Sequence, residues 1–289
     1  MKRLLPPVRI HSWGGLGSQL FAIAISEDFK AVFPNRSIKI VLHTGGVTRR
    51  IPEVAELFPE YDYEYEEDFH QTRKVALESK VSDRYVLRNT FKKILTTAGF
   101  LAQCNDDRAT KRLLPWVLSI RGHYSYRTIN STFMYRLAER CESVNESKIT
   151  NLSKSCIVHY RLGDLLVINE KNPISTQSVV SEYLKVQKEL EIEDLIVFSD
   201  SPSEARSRFS NLLSGEFLVL DSRTSLVIAN AIRAKYFIGT SSKVSFWIAG
   251  LRDVVYQSSS SLPSENLDQY IKSTLRNLRH LNPYSTIHQ

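Results

Sequence analysis

Cysteine is scarce in this chain. Cys104, Cys141 and Cys156 are the only three in 289 residues, and no two have C-x-x-C spacing. An odd, scattered set of this kind excludes a disulfide framework and a thiolate zinc site, and it fits a reducing compartment. Long apolar runs are missing as well. There is no stretch of about 18 consecutive apolar residues, so no membrane-spanning helix is expected. Met1–Pro7 carries charge without the apolar run of a signal peptide. The expectation is a cytoplasmic chain, with a peripheral position at the inner face of the cell membrane as the variant. Neither D-x-D nor G-x-G-x-x-G occurs, which removes the usual metal–diphosphate motif and the dinucleotide fingerprint. RNP, helix-turn-helix and zinc-finger patterns are absent too, so nucleic acid has only the net charge of +7 to recommend it. That charge fits an anionic membrane surface or a phosphorylated small molecule equally well.

What is present describes a globular protein. Hydrophobic residues make up 42% and charged residues 24%, enough to build a real core, and the length suits two domains of ordinary size. Val8–Trp13 reads as a first strand. It runs into Gly14-Gly15-Leu16-Gly17-Ser18-Gln19 and then an apolar helical stretch that Pro34 stops. Strand, glycine turn and helix form a unit in which backbone amides face an anion, or simply a tight structural turn. Ser37–Leu42 alternates as a second strand, and the acidic, aromatic Tyr61–Phe69 reads as a solvated loop. Basic residues scattered from Arg73 to Arg112 suit a solvated helical face, with a phosphate-contacting face as the alternative. Val117–Tyr126 is strand-like, and the Ser-, Asn-, Glu- and Lys-rich 139–155 is the linker candidate. This places the domains at 1–148 and 149–289.

The second half alternates strand and helix to its end. Cys156–Tyr160, Leu195–Phe198, Glu216–Leu220, Tyr236–Gly239 and Val254–Tyr256 read as strands, with helices between them and a last helix at Leu267–Leu278. That order implies an α/β fold with a parallel sheet. Three strand ends carry polar chemistry: His159, Arg161 and Asp164; Ser199 and Asp200; Thr240, Ser241, Ser242 and Ser245. In such sheets ligands bind beyond the carboxyl ends of the strands. Arg161 offers a fixed charge and a planar fork of donors suited to phosphate. Each piece also has a structural reading. Arg161 and Asp164 form a loop tie, His159 is a satisfied core histidine, Asp200 is an N-cap before Pro202, and the serines cap a helix.

Taken together and in order, these segments resemble the α-1,2-fucosyltransferases of glycosyltransferase family 11, within the fucosyltransferase superfamily that carries an H-x-R motif. Gly14–Phe21, G-G-L-G-S-Q-L-F, is similar to the family's opening motif, and Gly122–Ser125 is a loose counterpart of its junction segment. His159–Asp164, H-Y-R-L-G-D, matches H-x-R-R-G-D. Phe198–Ser201 resembles F-S-D-D, and Gly239–Trp247 resembles the late serine-rich segment. The resemblance implies a GT-B-like α/β architecture of two Rossmann-like domains with parallel sheets facing a central cleft. It implies an inverting transfer of L-fucose from GDP-β-L-fucose to a glycan or lipid-linked acceptor, with no metal and no cofactor. By position, Arg161 would hold the β-phosphate, with Asp164 orienting it. His159 and Asp200 would recognise guanosine. Ser241, Ser242 and Ser245 would lie on the phosphate side, and Gly15, Gly17 and Gln19 would face the donor from the first half. Three departures stand out: Leu162 for the second Arg, Ser18 for Asn, and Ser201 for the second Asp. The competing expectations are the same fold with another nucleotide sugar, and a non-catalytic nucleotide- or glycan-binding module.

Overall fold

Val8, Ile10 and Ser12 alternate with Arg9, His11 and Trp13, and this period-two run forms β1 (Val8–Trp13), the middle strand of a five-stranded sheet. The computed structural model describes residues 5–45, 51–67, 90–103 except 92, 113–122, 129, 131–143, 149, 151–163, 175–257 except 241, and 284–287. The chain divides into two compact units, 1–127 and 128–289. In the first unit β1 is flanked by β2 (Ile38–His43), with β3 (Tyr63–Glu66) outside it, and by β5 (Ser119–Arg121), with β4 (Leu101–Gln103) outside that. Every pairing is parallel. Parallel neighbours need crossovers, and α1 (Leu16–Val32) supplies the one between β1 and β2. It buries Leu20, Phe21, Ile23, Ile25 and Phe29. A short α2 (Val54–Leu57) precedes β3.

The second unit opens with α3 (Ser131–Ser143) and a 3-10 turn at Leu152–Lys154, which leads into β6 (Ser155–His159). β6 is the centre of the second sheet. On one side lie β7 (Asp194–Phe198) and β8 (Leu218–Leu220); on the other lie β9 (Tyr236–Gly239) and β10 (Tyr284–Ile287). All pairs are parallel except β10 with β9. Alternation along the central segment sorts its side chains. Cys156, Val158, Tyr160 and Leu162 enter a core with Val179, Val180, Tyr183 and Val186 of α4 (Thr176–Glu189) and with Ala205 and Phe209 of α5 (Pro202–Ser210). α6 (Thr224–Arg233) and α7 (Lys243–Gln257) pack on each other and on α3. The expected class is therefore what the chain adopts: α/β, with two Rossmann-like units built on largely parallel sheets.

Several boundaries differ from the sequence reading. The units part after Arg127, not at 148/149, because α3 packs on α6 and α7 and its Phe133 meets Trp247 edge-on at 5.8 Å. The expected strand at Val254–Tyr256 lies in α7. There β-propensity yields to tertiary context: Phe246, Trp247, Ile248, Ala249 and Leu251 are buried along one continuous helix. Arg252 fastens it, donating to the carbonyls of Ala231 (2.6 Å) and Ala234 (2.7 Å) at the end of α6. The acidic 63–66 stretch is a strand, not a loop, since Arg9 on β1 meets both Glu64 and Glu66. β10, an antiparallel edge, had no counterpart in the sequence reading. The His123–Tyr126 cluster and the expected helix at Leu267–Leu278 lie outside the described residues.

Candidate functional site

The H-x-R spacing acquires its meaning from strand geometry. Residues two apart share a face, so His159 and Arg161 lie on the face opposite Tyr160 and Leu162. In register, His159 sits between Phe198 of β7 and Gly239 of β9. The three polar strand ends therefore do come together at one carboxyl edge.

Gly239 is what lets α7 reach His159. A Cβ there would lie 2.7 Å from the Ser245 Cβ and 3.0 Å from its Oγ. With no side chain in the way, the Ser245 hydroxyl is 2.8 Å from His159 Nδ1. Ser242 stands at the start of α7, where its Oγ accepts the Ser245 N–H at 3.0 Å, an N-cap to N3 bond. The Ser242 hydroxyl in turn donates to Ser245 Oγ at 3.1 Å. His159 Nδ1 thus faces two serine hydroxyls, Ser245 at 2.8 Å and Ser242 at 3.2 Å. Burial pushes the His159 pKa down to about 4; the Asp200 carboxylate opposes this shift and the Arg161 charge adds to it. The imidazole is neutral at pH 7. The capping-serine and satisfied-histidine readings thus both hold, and they describe one network.

Two further bonds fix the backbone beyond β6. The Thr240 hydroxyl donates to the His159 carbonyl at 2.8 Å and accepts the Arg161 N–H at 3.1 Å. Asp200 Oδ1 accepts the N–H groups of Leu162 (2.9 Å) and Gly163 (2.8 Å). A Cβ on Gly163 would stand 2.1 Å from Asp200 Oδ2, so glycine is required by the approach of the carboxylate. Asp200 is not the cap of α5, whose N-cap is Ser201. These contacts hold the loop that carries Arg161, a positioning task the sequence reading had not given it. Thr240 is the residue that reading left without a role; its place one residue beyond a predicted strand was the available signal. Arg161 is half-buried on this edge. Leu162, where the family motif has a second Arg, is fully buried in the core. Asp164 and Ser241 lie outside the described residues.

The first unit's glycine turn is built differently. Gly14 takes a positive φ of 111°, Gly15 is extended, and α1 starts at Leu16. Gly17 is buried in the first turn of α1. Gln19 is 2% exposed, and its amide stitches the turn to the next segment. Nε2 donates to the carbonyls of Gly14 (3.1 Å) and Ile51 (2.9 Å), and Oε1 accepts the Val54 N–H at 3.2 Å.

The sequence reading missed a second cluster, at the ends of β1, β2 and β3. His11 Nδ1 and His43 Nε2 are 2.9 Å apart, with ring centroids at 5.2 Å and planes 28° apart. The nitrogens are far closer than the centroids, so the rings meet edge to edge through a hydrogen bond. Trp13 stacks on His43 at 4.2 Å, and Glu66 Oε2 is 3.5 Å from His43 Nδ1. His11, His43 and Glu66 each offer one ligand atom within 4.8 Å of the others. The imidazole–imidazole bond engages His11 Nδ1 and His43 Nε2, and Arg9 pairs with Glu66 Oε1, while Glu66 Oε2 faces His43 Nδ1. The signal in the sequence was His11 and Trp13 at period two on a strand otherwise read as apolar.

Fold and site together define a protein of two Rossmann-like units whose second unit gathers a cation, a neutral imidazole and a helix start at one strand edge. No family model matches the chain, and no curated protein matches it. Among solved structures it is similar to POFUT1 in complex with GDP, at 12% identity over 85% of this chain and 94% of that chain with a TM-score of 0.42. It is similar also to POFUT1 in complex with GDP-fucose, at 12% identity over 86% and 95% with a TM-score of 0.40. At these scores the likeness assigns nothing to this chain. No helix among the described residues is long and apolar enough to cross a membrane.

Proposed function

We propose that the chain is an inverting glycosyltransferase that moves L-fucose from GDP-β-L-fucose to a glycan hydroxyl, of the α-1,2 type, in bacterial surface polysaccharide synthesis. The observation that carries this reading is the fixed presentation of Arg161. Thr240 holds its backbone N–H, and Asp200 holds the two residues after it. The ordered family-like motifs of the sequence support the choice of donor.

In this reaction the acceptor hydroxyl oxygen attacks the anomeric carbon, giving up its proton to a general base, as the bond to the diphosphate breaks. The electron pair leaves on the β-phosphate oxygen while the sugar passes through an oxocarbenium-like state. Arg161 and the positive end of α7 neutralise the growing charge without reorganising, so that no metal is needed for it. Neutral His159, held at Nδ1 by the serine hydroxyls, takes part in recognising the nucleotide. The second unit is the donor side, and the first unit is the acceptor side. The acceptor is a glycan or lipid-linked oligosaccharide, met by a cytoplasmic protein at the inner face of the membrane.

Leu162 favours a second reading, the same fold with another nucleotide sugar, because a buried leucine supplies no charge for a second phosphate contact. Thermal shifts with GDP, UDP and dTDP separate the two, and transfer from GDP-fucose read by mass spectrometry separates an enzyme from a binding module. Stabilisation by GDP alone and a mass gain of one deoxyhexose on the acceptor are expected. Preference for UDP moves the donor assignment, and turnover lost in excess EDTA refutes metal independence.

A further inference from the structure

We propose that His11, His43 and Glu66, at the carboxyl end of the first sheet, hold a divalent metal ion of the zinc type. The site lies wholly on this sheet, and the proposal does not depend on the donor. Strand register builds it. Trp13, His43 and Glu66 stand side by side on β1, β2 and β3. His11 lies two residues before Trp13 and so on the same face. The two histidines are 2% and 4% exposed, and burying imidazoles costs free energy unless their nitrogens are engaged. Here His11 Nδ1 and His43 Nε2 converge at 2.9 Å. The ligand atoms of all three residues lie within 4.8 Å of one another.

The geometry is close to that of a loaded site. Two imidazoles on a tetrahedral ion, at metal–nitrogen distances of about 2.0–2.1 Å, keep their nitrogens roughly 3.3 Å apart and their ring centroids roughly 5.2 Å apart. The centroids of His11 and His43 already stand at 5.2 Å. Only the nitrogens must part, by about 0.4 Å, and a swing of each ring does this without moving a strand. Both rings then bind as neutral imidazoles, the hydrogen of their mutual bond passing to the outer nitrogen of its ring. Glu66 is the adaptable ligand. Its side chain is 33% exposed, and its long stem closes the remaining distance, while Arg9 holds Oε1 from outside. Outer partners of this kind orient ligating carboxylates. Two imidazoles and one carboxylate leave a fourth position to water, the donor set of an open zinc site. Calcium and magnesium prefer oxygen ligands throughout, so the imidazoles select the zinc type.

The test is a zinc titration of the intact chain, stripped with EDTA and returned to chelator-free buffer. Calorimetry should read one tightly bound ion per chain, and zinc should raise the melting temperature. His11→Gln and His43→Gln should each weaken binding by about a hundredfold and Glu66→Gln by about tenfold, with circular dichroism unchanged. Trp13 stacks on His43 at 4.2 Å. Cobalt, a quencher, should therefore dim the emission of the wild type and much less that of Trp13→Phe, which should bind the ion equally well. X-ray absorption of the zinc-loaded wild type needs no variant and should show two imidazoles together with oxygen. No zinc uptake, a shell of oxygen alone or with sulfur, or undiminished affinity in both histidine variants overturns the proposal.

Discussion

At the carboxyl end of the first sheet, His11, Trp13 and His43 engage one another beside Glu66. At the same end of the second sheet, His159 bonds to hydroxyls, and the loop that follows is held by Thr240 and Asp200. Among the described residues both sheets have five strands with the earliest at the centre, and β1 runs on into the apolar α1. In the first, the turn is glycine with a positive φ, and Gln19 consumes its amide on the backbone around it. In the second, small hydroxyls do the capping, and a permanent cation stands at the edge. The contrast shows that a shared architecture leaves the chemistry of a strand end to a few side chains.

The sharpest way to break the comparison is Arg161→Ala. The fold should survive, with an unchanged circular dichroism spectrum, while turnover falls by roughly 10²–10³, as for loss of one charge stabiliser. Turnover near that of the wild type removes the assigned role.

Next is the pH response of His159. Its folded pKa of about 4 lies below the ordinary 6.5, so the unfolded chain takes the proton first. The stability tied to the neutral form is complete above about pH 6.5 and is lost as pH falls toward 4, on the order of 3 kcal/mol. His159→Gln should flatten the melting temperature across that window. A slope equal to that of the wild type contradicts the buried neutral imidazole.

In the first unit, Gln19→Ala orphans the buried Val54 N–H and two carbonyls, at a cost of about 1–3 kcal/mol. Urea denaturation should show that loss while GDP affinity stays level. A fall in affinity at unchanged stability makes Gln19 a ligand contact instead.

The smallest effect is expected from Thr240→Val, which keeps the shape and loses the hydroxyl, about 1 kcal/mol. Calorimetry with GDP should show a severalfold weaker Kd as the Arg161 backbone loses its anchor. Unchanged binding assigns Thr240 to stability alone.

Much of this was legible in the residues. An apolar strand running into His159 and Arg161 marked this edge, and alternating strands and helices gave the second unit its class. Other features depended on partners distant in the chain. The acidic 63–66 stretch became a strand that pairs with β2 and lets Glu64 and Glu66 meet Arg9, and Val254–Tyr256 became helical as the continuation of α7, whose Phe246–Arg252 is buried. The boundary moved to Arg127 because α3 found its packing in Trp247.

By itself the sequence determined most of the elements, the polar strand ends and the presence of one arginine among those of the second unit, since periodicity and turn residues act locally. Tertiary structure decided what each polar residue spends its bonds on. Asp200 is committed to the loop after β6 because Gly163 leaves it room, and Ser245 reaches His159 because Gly239 does the same. Leu162 is withdrawn into the core because alternation, once the sheet is packed on both faces, sends every second side chain inward. Those outcomes follow from close approach between segments tens of residues apart, which no local pattern contains.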